Sequence, residues 1–397
     1  MKKENSLLVA LPVLFGFFVM GFCDIVGRAS DYVQQAFGWS HAMTGLVPSM
    51  VFIWFLVLGI PAGIKMNRWG RKNTVLLSMG ITIAGMLLPL LLYNAVTCMV
   101  AFALLGIGNA ILQVSLNPLL KNVLVSERLL TSSLTAGQVV KALSSFAGPY
   151  ILLSCVELLG HGDVAKWYYC FPVLGAITLL SALWLVVTPV PRETSEASER
   201  GASVMETLAL LKDKTILLLF LGIFFVVGVD VATNFISSKV MITRFGWEDA
   251  AGIAPQIYFT SRVAGALLGV FLMTRVAEMR YFKWNILAAI VALFVLAFTR
   301  DETINLVSIG AIGFFCSCIF SIIYSMAVQA RPEKTNRISG LMITAIAGGA
   351  VVPPVLGLAM ESAGIEGGIL VILLCACYLA YCAFGVKIQK TIDHVRV

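Results

Sequence analysis

Charge is what this sequence has least of. Asp, Glu, Lys and Arg together make up 12% of the 397 residues, against about 25% in soluble domains, which excludes an ordinary water-soluble enzyme folded around one core. Histidine is scarcer still. His41, His161 and His394 fall in loops or the tail and form no ligand spacing. No phosphate-cradling Gly-Lys-Ser/Thr loop is present, so hydrolysis and nucleotide-driven transport both lack their machinery; neither an enzyme nor a cofactor is expected. The nine cysteines include Cys316-x-Cys318 and Cys375-x-Cys377, but both pairs lie in apolar stretches without clustered histidine or carboxylate, so they read as packing residues. A net charge of +7 hints at nucleic acid only until the positions of the charges are read.

What fills the chain is apolar surface, 59% of residues. A bilayer core about 30 Å thick needs roughly 20 apolar residues per spanning helix. Twelve stretches qualify, at about 7–37, 43–64, 74–94, 97–124, 132–158, 166–188, 215–243, 250–274, 284–299, 305–330, 338–360 and 367–386, which predicts an all-α membrane protein with twelve transmembrane helices. Lys2 and Lys3 precede the first run, but that run is too long for a signal peptide and lacks an Ala-x-Ala-like exit, so a retained first helix is expected. Basic residues in short loops set orientation. With the N-terminus placed in the cytoplasm, 21 of the 28 Lys and Arg fall inside, whereas Lys166, Arg244 and Arg300 fall outside. This predicts a multi-pass protein of a bacterial cytoplasmic membrane with both termini cytoplasmic.

The least apolar long stretch, about 190–214, is rich in Ser and Glu and separates six spans from six. Val204, Leu208 and Leu211 give its second part the spacing of an amphipathic helix on the membrane surface; a loose tether is the alternative. An internal repeat runs across it. Phe17-Phe18-Val19-Met20-Gly21 recurs as Phe224-Phe225-Val226-Val227-Gly228, Phe37-Gly38-Trp39 as Phe245-Gly246-Trp247, and Met66-x-Arg68 as Met273-x-Arg275, at an offset of 207 or 208. The expected organisation is a six-helix bundle over 1–190, a cytoplasmic linker over 191–214 and a second six-helix bundle over 215–397.

After span 2 comes Gly63-Ile64-Lys65-Met66-Asn67-Arg68-Trp69-Gly70-Arg71-Lys72, a tight turn with cations held on the cytoplasmic side. This segment resembles the loop signature of the major facilitator superfamily, whose twelve-helix fold is two such bundles rocking about a central site. The resemblance implies a gating loop formed by Gly63, Asn67, Arg68, Gly70, Arg71 and Lys72, with Asn67 where the family usually has Asp. Further segments are similar to the fucose permease branch, the fucose/galactose/glucose:proton symporters. These are Gln34-Gln35-Ala36-Phe37, Pro61-Ala62-Gly63, Asn117-Pro118, Arg262-x-x-Gly265 and Ile346-x-Gly348-Gly349-x-x-Val352-x-Pro354-Val355-x-Gly357. Three departures stand out: in register, the branch's coupling aspartate falls on Gly27 with Asp24 one turn earlier, its span-4 glutamate falls on Gln113, and its sugar-contacting Gln and Asn of span 5 become Gln138 and Lys141.

A charge at the centre of a spanning helix costs at least about 2.5–3.5 kcal/mol, so such groups usually face a cavity. Asp24, Arg28 and Asp31 share one face of span 1. Asn109, Gln113 and Asn117 line span 4, Gln138, Lys141 and Ser145 span 5, Asp230 and Asn234 span 7, Gln256 and Thr260 span 8 beside Arg262, and Tyr324 lies in span 10. Amides supply both donors and acceptors for a polyhydroxylated ligand, and Phe52, Trp54, Phe259 and Tyr324 offer ring faces for a sugar. The expected substrate-binding set is Arg28, Asn109, Gln113, Asn117, Gln138, Lys141, Asn234, Gln256 and Tyr324. Asp24 is the expected cation-coupling carboxylate, with Lys141 as its partner; a static salt bridge is the rival. Arg262 is placed to pair with Asp230 or to serve the gate, and Lys239 to snorkel outward. The expected function is import of a monosaccharide together with a cation, H+ first and Na+ second, by a monomer in the lipid bilayer. A sugar acid held by Arg28 and Lys141 is the alternative substrate, and a drug exporter is the more distant reading.

Overall fold

The structure, a computed structural model, describes residues 3–39, 46–123, 130–190, 203–247 and 253–386. These residues are nearly all helical, and no β-strand occurs among them. In lipid every backbone N–H and C=O needs a partner within the protein, and helices supply one locally. Nine continuous segments among the described residues are long and apolar enough to cross a membrane. The last, Pro332–Gly385, supplies two spans because it bends at Ala363 and Gly364. The shorter apolar stretch Val9–Ile25 and the helix Ile253–Leu272, which carries Arg262, complete the twelve.

Several spans are broken where the sequence predicted smooth helices. Span 1 runs as Lys3–Met20, a 3-10 turn over Gly21–Ile25, and then Val26–Phe37. Span 10 is Glu302–Cys316 followed by Ile319–Ala330, and span 11 begins as Thr335–Thr344 before a 3-10 turn over Ala345–Ala347. Of the linker, residues 191–202 lie outside the description. Its second part forms the short helix Val204–Leu208, started by a reciprocal pair in which Ser203 Oγ accepts from the Glu206 N–H and the Glu206 carboxylate accepts from the Ser203 N–H. Val204 and Leu208 remain exposed on it.

Span 1 packs on spans 4 and 5, span 3 on spans 4 and 6, and span 9 on spans 10 and 12. Two seams join the halves: span 2 lies against span 11, and span 5 against span 8. The exterior is apolar, with Leu91, Trp284 and Phe298 largely exposed, while Asn109, Gln113, Asn117 and Ser321 are buried inside. This inversion of the soluble pattern suits a lipid solvent. All nine cysteines are free thiols, eight of them buried.

Candidate functional site

The 3-10 turn of span 1 carries Asp24. A Cβ on Gly21 would lie 2.5 Å from the Lys141 carbonyl oxygen and 2.7 Å from the Ser144 Cβ, so only glycine lets spans 1 and 5 approach this closely. Across that contact Ser145 Oγ donates to Asp24 Oδ2 at 2.6 Å. Lys141 Nζ stands 3.8 Å from the same oxygen, close enough to neutralise it but beyond a hydrogen bond. Cys23 Sγ reaches Oδ1 at 3.3 Å. Lys141 and Ser145 are one turn apart, so span 5 presents a cation and a hydroxyl together. The Lys141 and Asp24 side chains keep 19% and 20% of their surface exposed.

The second half repeats this clamp with a firmer grip. Arg262 Nη1 lies 2.5 Å from Asp230 Oδ2, and the Tyr258 hydroxyl donates to Asp230 Oδ1 at 2.5 Å. Tyr258 and Arg262 are again one turn apart, now on span 8. Tyr258 is wholly buried, with its ring so close to Gly313 of span 10 that a Cβ there would come within 2.9 Å. Asp230 and Arg262 each remain 22% exposed. Spans 5 and 8 form a seam, and across it Lys141 is repelled by Arg262 and, less strongly, attracted by Asp230, besides its pairing with Asp24.

The span-4 amides are brought together but turned inward. Asn109 Nδ2 donates to the Met20 carbonyl at 2.8 Å, Gln113 Nε2 to Asn109 Oδ1 at 2.9 Å, and Asn117 Nδ2 to the Gln113 carbonyl at 3.0 Å. All three are buried, a ladder that ties span 4 to span 1 beside Asp24. Asn117 Oδ1 has no hydrogen-bond partner among the described residues. Gln138 and Asn234 are half-buried and Gln256 is exposed. Tyr324 is buried, stacks on Phe320 and donates to Ser339 Oγ at 2.7 Å, while Ser339 donates to the Val114 carbonyl at 2.8 Å. Its hydroxyl thus belongs to a bridge between spans 10, 11 and 4. The side chains of Arg28 and Asp31 lie outside those described. Lys239 Nζ sits 4.4 Å from the centre of the Phe235 ring.

The loop signature forms part of a seal between the halves at the end where the basic loops gather. Asn336 of span 11 donates from Nδ2 to Asn67 Oδ1 at 2.5 Å and accepts from Arg71 Nε at Oδ1 at 3.0 Å. Arg71 also reaches the Pro118 carbonyl at 3.1 Å and the Asn122 side chain. Gly63 lies against Asn336 and Gly340, Gly70 turns into span 3 with φ 82°, Lys72 caps the end of span 6 at Val186 and Thr188, and Arg68 is exposed. Asn67 thus bridges the halves as a neutral amide.

An equivalent contact occurs at the repeat position. Glu278 opens span 9 as Arg71 opens span 3, 207 residues apart, and it accepts from Thr131 Oγ1 of span 5 at 2.8 Å. Thr131 also meets Ser325 of span 10 at 2.6 Å. Ion pairs from Glu206 to Arg337 and from Asp213 to Arg331 fasten the linker to the same end. Sequence reasoning missed Tyr258, Glu278, Thr131, Ser339 and Asn336. The signal that could have found Glu278 is the repeat offset from Arg71, and the one for Tyr258 is its one-turn spacing from Arg262.

Comparison with known proteins decides the family. The sequence profile of the Major Facilitator Superfamily matches residues 9–385. The chain belongs to that superfamily. As a member it is a multi-pass membrane transporter, and its clamps and seal are parts of a superfamily fold. The chain is 24% identical over 396 residues to a glucose/galactose transporter of Brucella abortus, covering 96% of this chain and 94% of that one. It is 23% identical over 364 residues to the L-fucose-proton symporter of Escherichia coli, covering 83% and 82%. The crystal structure of the superfamily transporter FucP in the outward conformation superposes with a TM-score of 0.82 at 20% identity, over 97% of this chain and 100% of that one, which establishes the fold.

Proposed function

We propose that this protein is a secondary active transporter that imports a neutral monosaccharide of the fucose/hexose kind together with a proton, by alternating access. One observation carries the reading. Asp24, on a mid-span turn and partly open to the space between the halves, is neutralised by a cation that does not hydrogen-bond it. A carboxylate held this loosely takes up and gives back a proton with little rearrangement. The names of the curated relatives support the sugar. A proton is favoured over Na+ because Ser145 and Cys23 donate to Asp24 and the Lys141 ammonium stands beside it, which leaves little of the oxygen-acceptor shell that a hard metal cation needs. A neutral sugar is favoured over a sugar acid because Lys141 and Arg262 each already face a carboxylate.

Residues 1–190 and 215–397 act as the two rocking units, with the linker on the cytoplasmic side beside both termini in a bacterial cytoplasmic membrane. The transport unit is the monomer, since both clamps and both halves of the seal come from one chain. Gln138, Asn234 and Gln256, half-buried or exposed along the interior spans, supply amides for sugar hydroxyls. The test is uptake of radiolabelled glucose, galactose and fucose by proteoliposomes under imposed proton or sodium gradients, with a uronate as competitor. A proton gradient should drive accumulation of at least one neutral sugar. Accumulation under sodium alone, or displacement only by the uronate, would overturn the reading.

A further inference from the structure

Span 4 carries Pro118 inside its helix. Proline has no N–H, so the Val114 carbonyl one turn earlier lacks the donor that a regular helix would give it. The other half supplies one instead. Ser339 of span 11 gives its hydroxyl to that carbonyl at 2.8 Å and accepts from the Tyr324 hydroxyl of span 10 at 2.7 Å. Val114, Ser339 and Tyr324 are all buried, so this acceptor is met by a side chain of the opposite half and by no solvent. Two further polar atoms nearby in sequence have capacity to spare. Asn117 and Ser321 are each 1% exposed, and Asn117 Oδ1 and Ser321 Oγ have no hydrogen-bond partner among the described residues. Asn117 follows Val114 within one turn of span 4, and Ser321 precedes Tyr324 within one turn of span 10. Buried polar atoms left unmet are costly, and apolar side chains would serve packing alone at lower cost.

We propose that these groups form a second, exit-side sugar site: when the cytoplasmic seal parts, the Val114 carbonyl and Asn117 Oδ1 accept from sugar hydroxyls, and the Ser339, Tyr324 and Ser321 hydroxyls face the same sugar from the other half. This rests on the reading of the protein as a sugar importer that works by alternating access. Ser339 lies one turn beyond Asn336 on span 11, so separation of the halves at the Asn67–Asn336 contact draws Ser339 off Val114. That bond joins the two halves, and its loss leaves a bare acceptor on one wall and a bare hydroxyl on the other. A sugar hydroxyl both donates and accepts, so one monosaccharide satisfies both walls at once. All five groups are neutral. Arg71, which binds the Pro118 carbonyl one turn on, is also engaged by Asn122 and Asn336. The set therefore suits an uncharged polyhydroxylated ligand. It also gives the Asn117-Pro118 pair a purpose, because the proline creates the acceptor that the opposite half covers in the closed state and the leaving sugar covers in the open one.

The test measures initial rates with radiolabelled glucose, galactose and fucose in right-side-out and inverted membrane vesicles that hold the full chain, which gives half-saturation for entry and for exit separately. Asn117→Ala removes one acceptor. Pro118→Ala gives the Val114 carbonyl a donor within its own helix, while the second lone pair stays open to Ser339. Each variant should raise the exit value relative to the entry value by about fivefold or more, with the saturated exit rate undiminished, because only the cytoplasm-open carrier loses a sugar contact. An unchanged ratio, or entry and exit values that rise together, would overturn this inference alone, since water would then cover the bare groups or they would serve packing only. Loss of transport from both faces by both variants would overturn it as well. Absence of transport of all three sugars by the unmodified protein would overturn the underlying reading and this inference with it.

Discussion

Asp24 and Asp230 occupy comparable places in the two halves, and the contrast between their surroundings shows how one architecture serves two ends. Asp230 has short, strong partners on both oxygens. Asp24 has one strong hydroxyl contact, a distant ammonium and a thiol. Asp230 joins spans 7 and 8 through Arg262 and Tyr258. In the proposed function Asp24 is the carboxylate that changes partners, its ammonium lying beyond hydrogen-bond distance. The local backbone differs too: Asp230 lies in the unbroken helix Lys214–Phe245, whereas Asp24 lies in the 3-10 turn that interrupts span 1, where the backbone departs from regular α-helix.

The sharpest way to break this contrast is to remove each cation in turn. Arg262→Gln should cost about 3 kcal/mol by leaving Asp230 charged and poorly solvated. Lys141→Gln should cost no more than about 1 kcal/mol, because the ammonium makes no hydrogen bond to Asp24 and Ser145 still donates to that carboxylate. Thermal unfolding in detergent measures both, and equal costs would erase the distinction between the clamps. Lys141→Arg goes the other way. A guanidinium reaches farther and binds a carboxylate in bidentate fashion, so the loose clamp should come to resemble the tight one, with proton-driven uptake slowed about tenfold and stability raised by about 1 kcal/mol.

The seal extends the contrast between neutral and charged grips. Asn67→Asp would set a carboxylate against the Asn336 amide, strengthening that bond by about 1 kcal/mol. Spin labels at the exposed Arg68 and Glu333 should then report a narrower, shorter distance distribution, and turnover should fall severalfold. A broader distribution would show that the neutral amide already grips better than a charge.

The Arg331–Asp213 pair, outside the membrane spans, calibrates the scale. Burial opposes ionisation of Asp213, but Arg331 at 2.8 Å and the Thr215 backbone N–H at 2.9 Å outweigh it and hold the carboxyl below its ordinary range. The pair's contribution is therefore present above the ordinary carboxylate value of about 3.9 and is lost as pH falls through the lower folded-state value. With both side chains partly exposed, Arg331→Gln should cost less than about 1 kcal/mol at pH 7, and the difference in melting temperature should vanish in strong acid. A difference that grew on acidification would contradict the assignment.

Much of this was legible before any coordinates. The twelve apolar runs follow from bilayer thickness, the repeat from comparing one half of the sequence with the other, and the loop after span 2 from its resemblance to a family signature, while Asp24 with Lys141 stood out because buried charge is costly. The Asn109, Gln113 and Asn117 stripe shows the limit of such reading, since the same i, i+4 spacing serves a cavity wall and a helix-to-helix ladder, and the structure places all three amides in the ladder. Tyr324 was read as a ring for sugar but spends its hydroxyl on Ser339. Tyr258 was hidden because a buried tyrosine in an apolar helix looks like packing until its hydroxyl is seen on Asp230. Asn336, Thr131 and Glu278 were hidden because contacts between halves join residues 147 to 269 positions apart, which no local pattern encodes.

The most direct measurement is substrate-driven proton movement across proteoliposomes with a pH-sensitive dye in the outer medium, comparing unmodified protein with Asp24→Asn at matched sugar counterflow. The loosely clamped carboxylate predicts that sugar entry alkalinises the outer medium for the unmodified protein and leaves it unchanged for Asp24→Asn. Equal alkalinisation by the two proteins would contradict the account, because the proton would then travel without the carboxylate assigned to carry it.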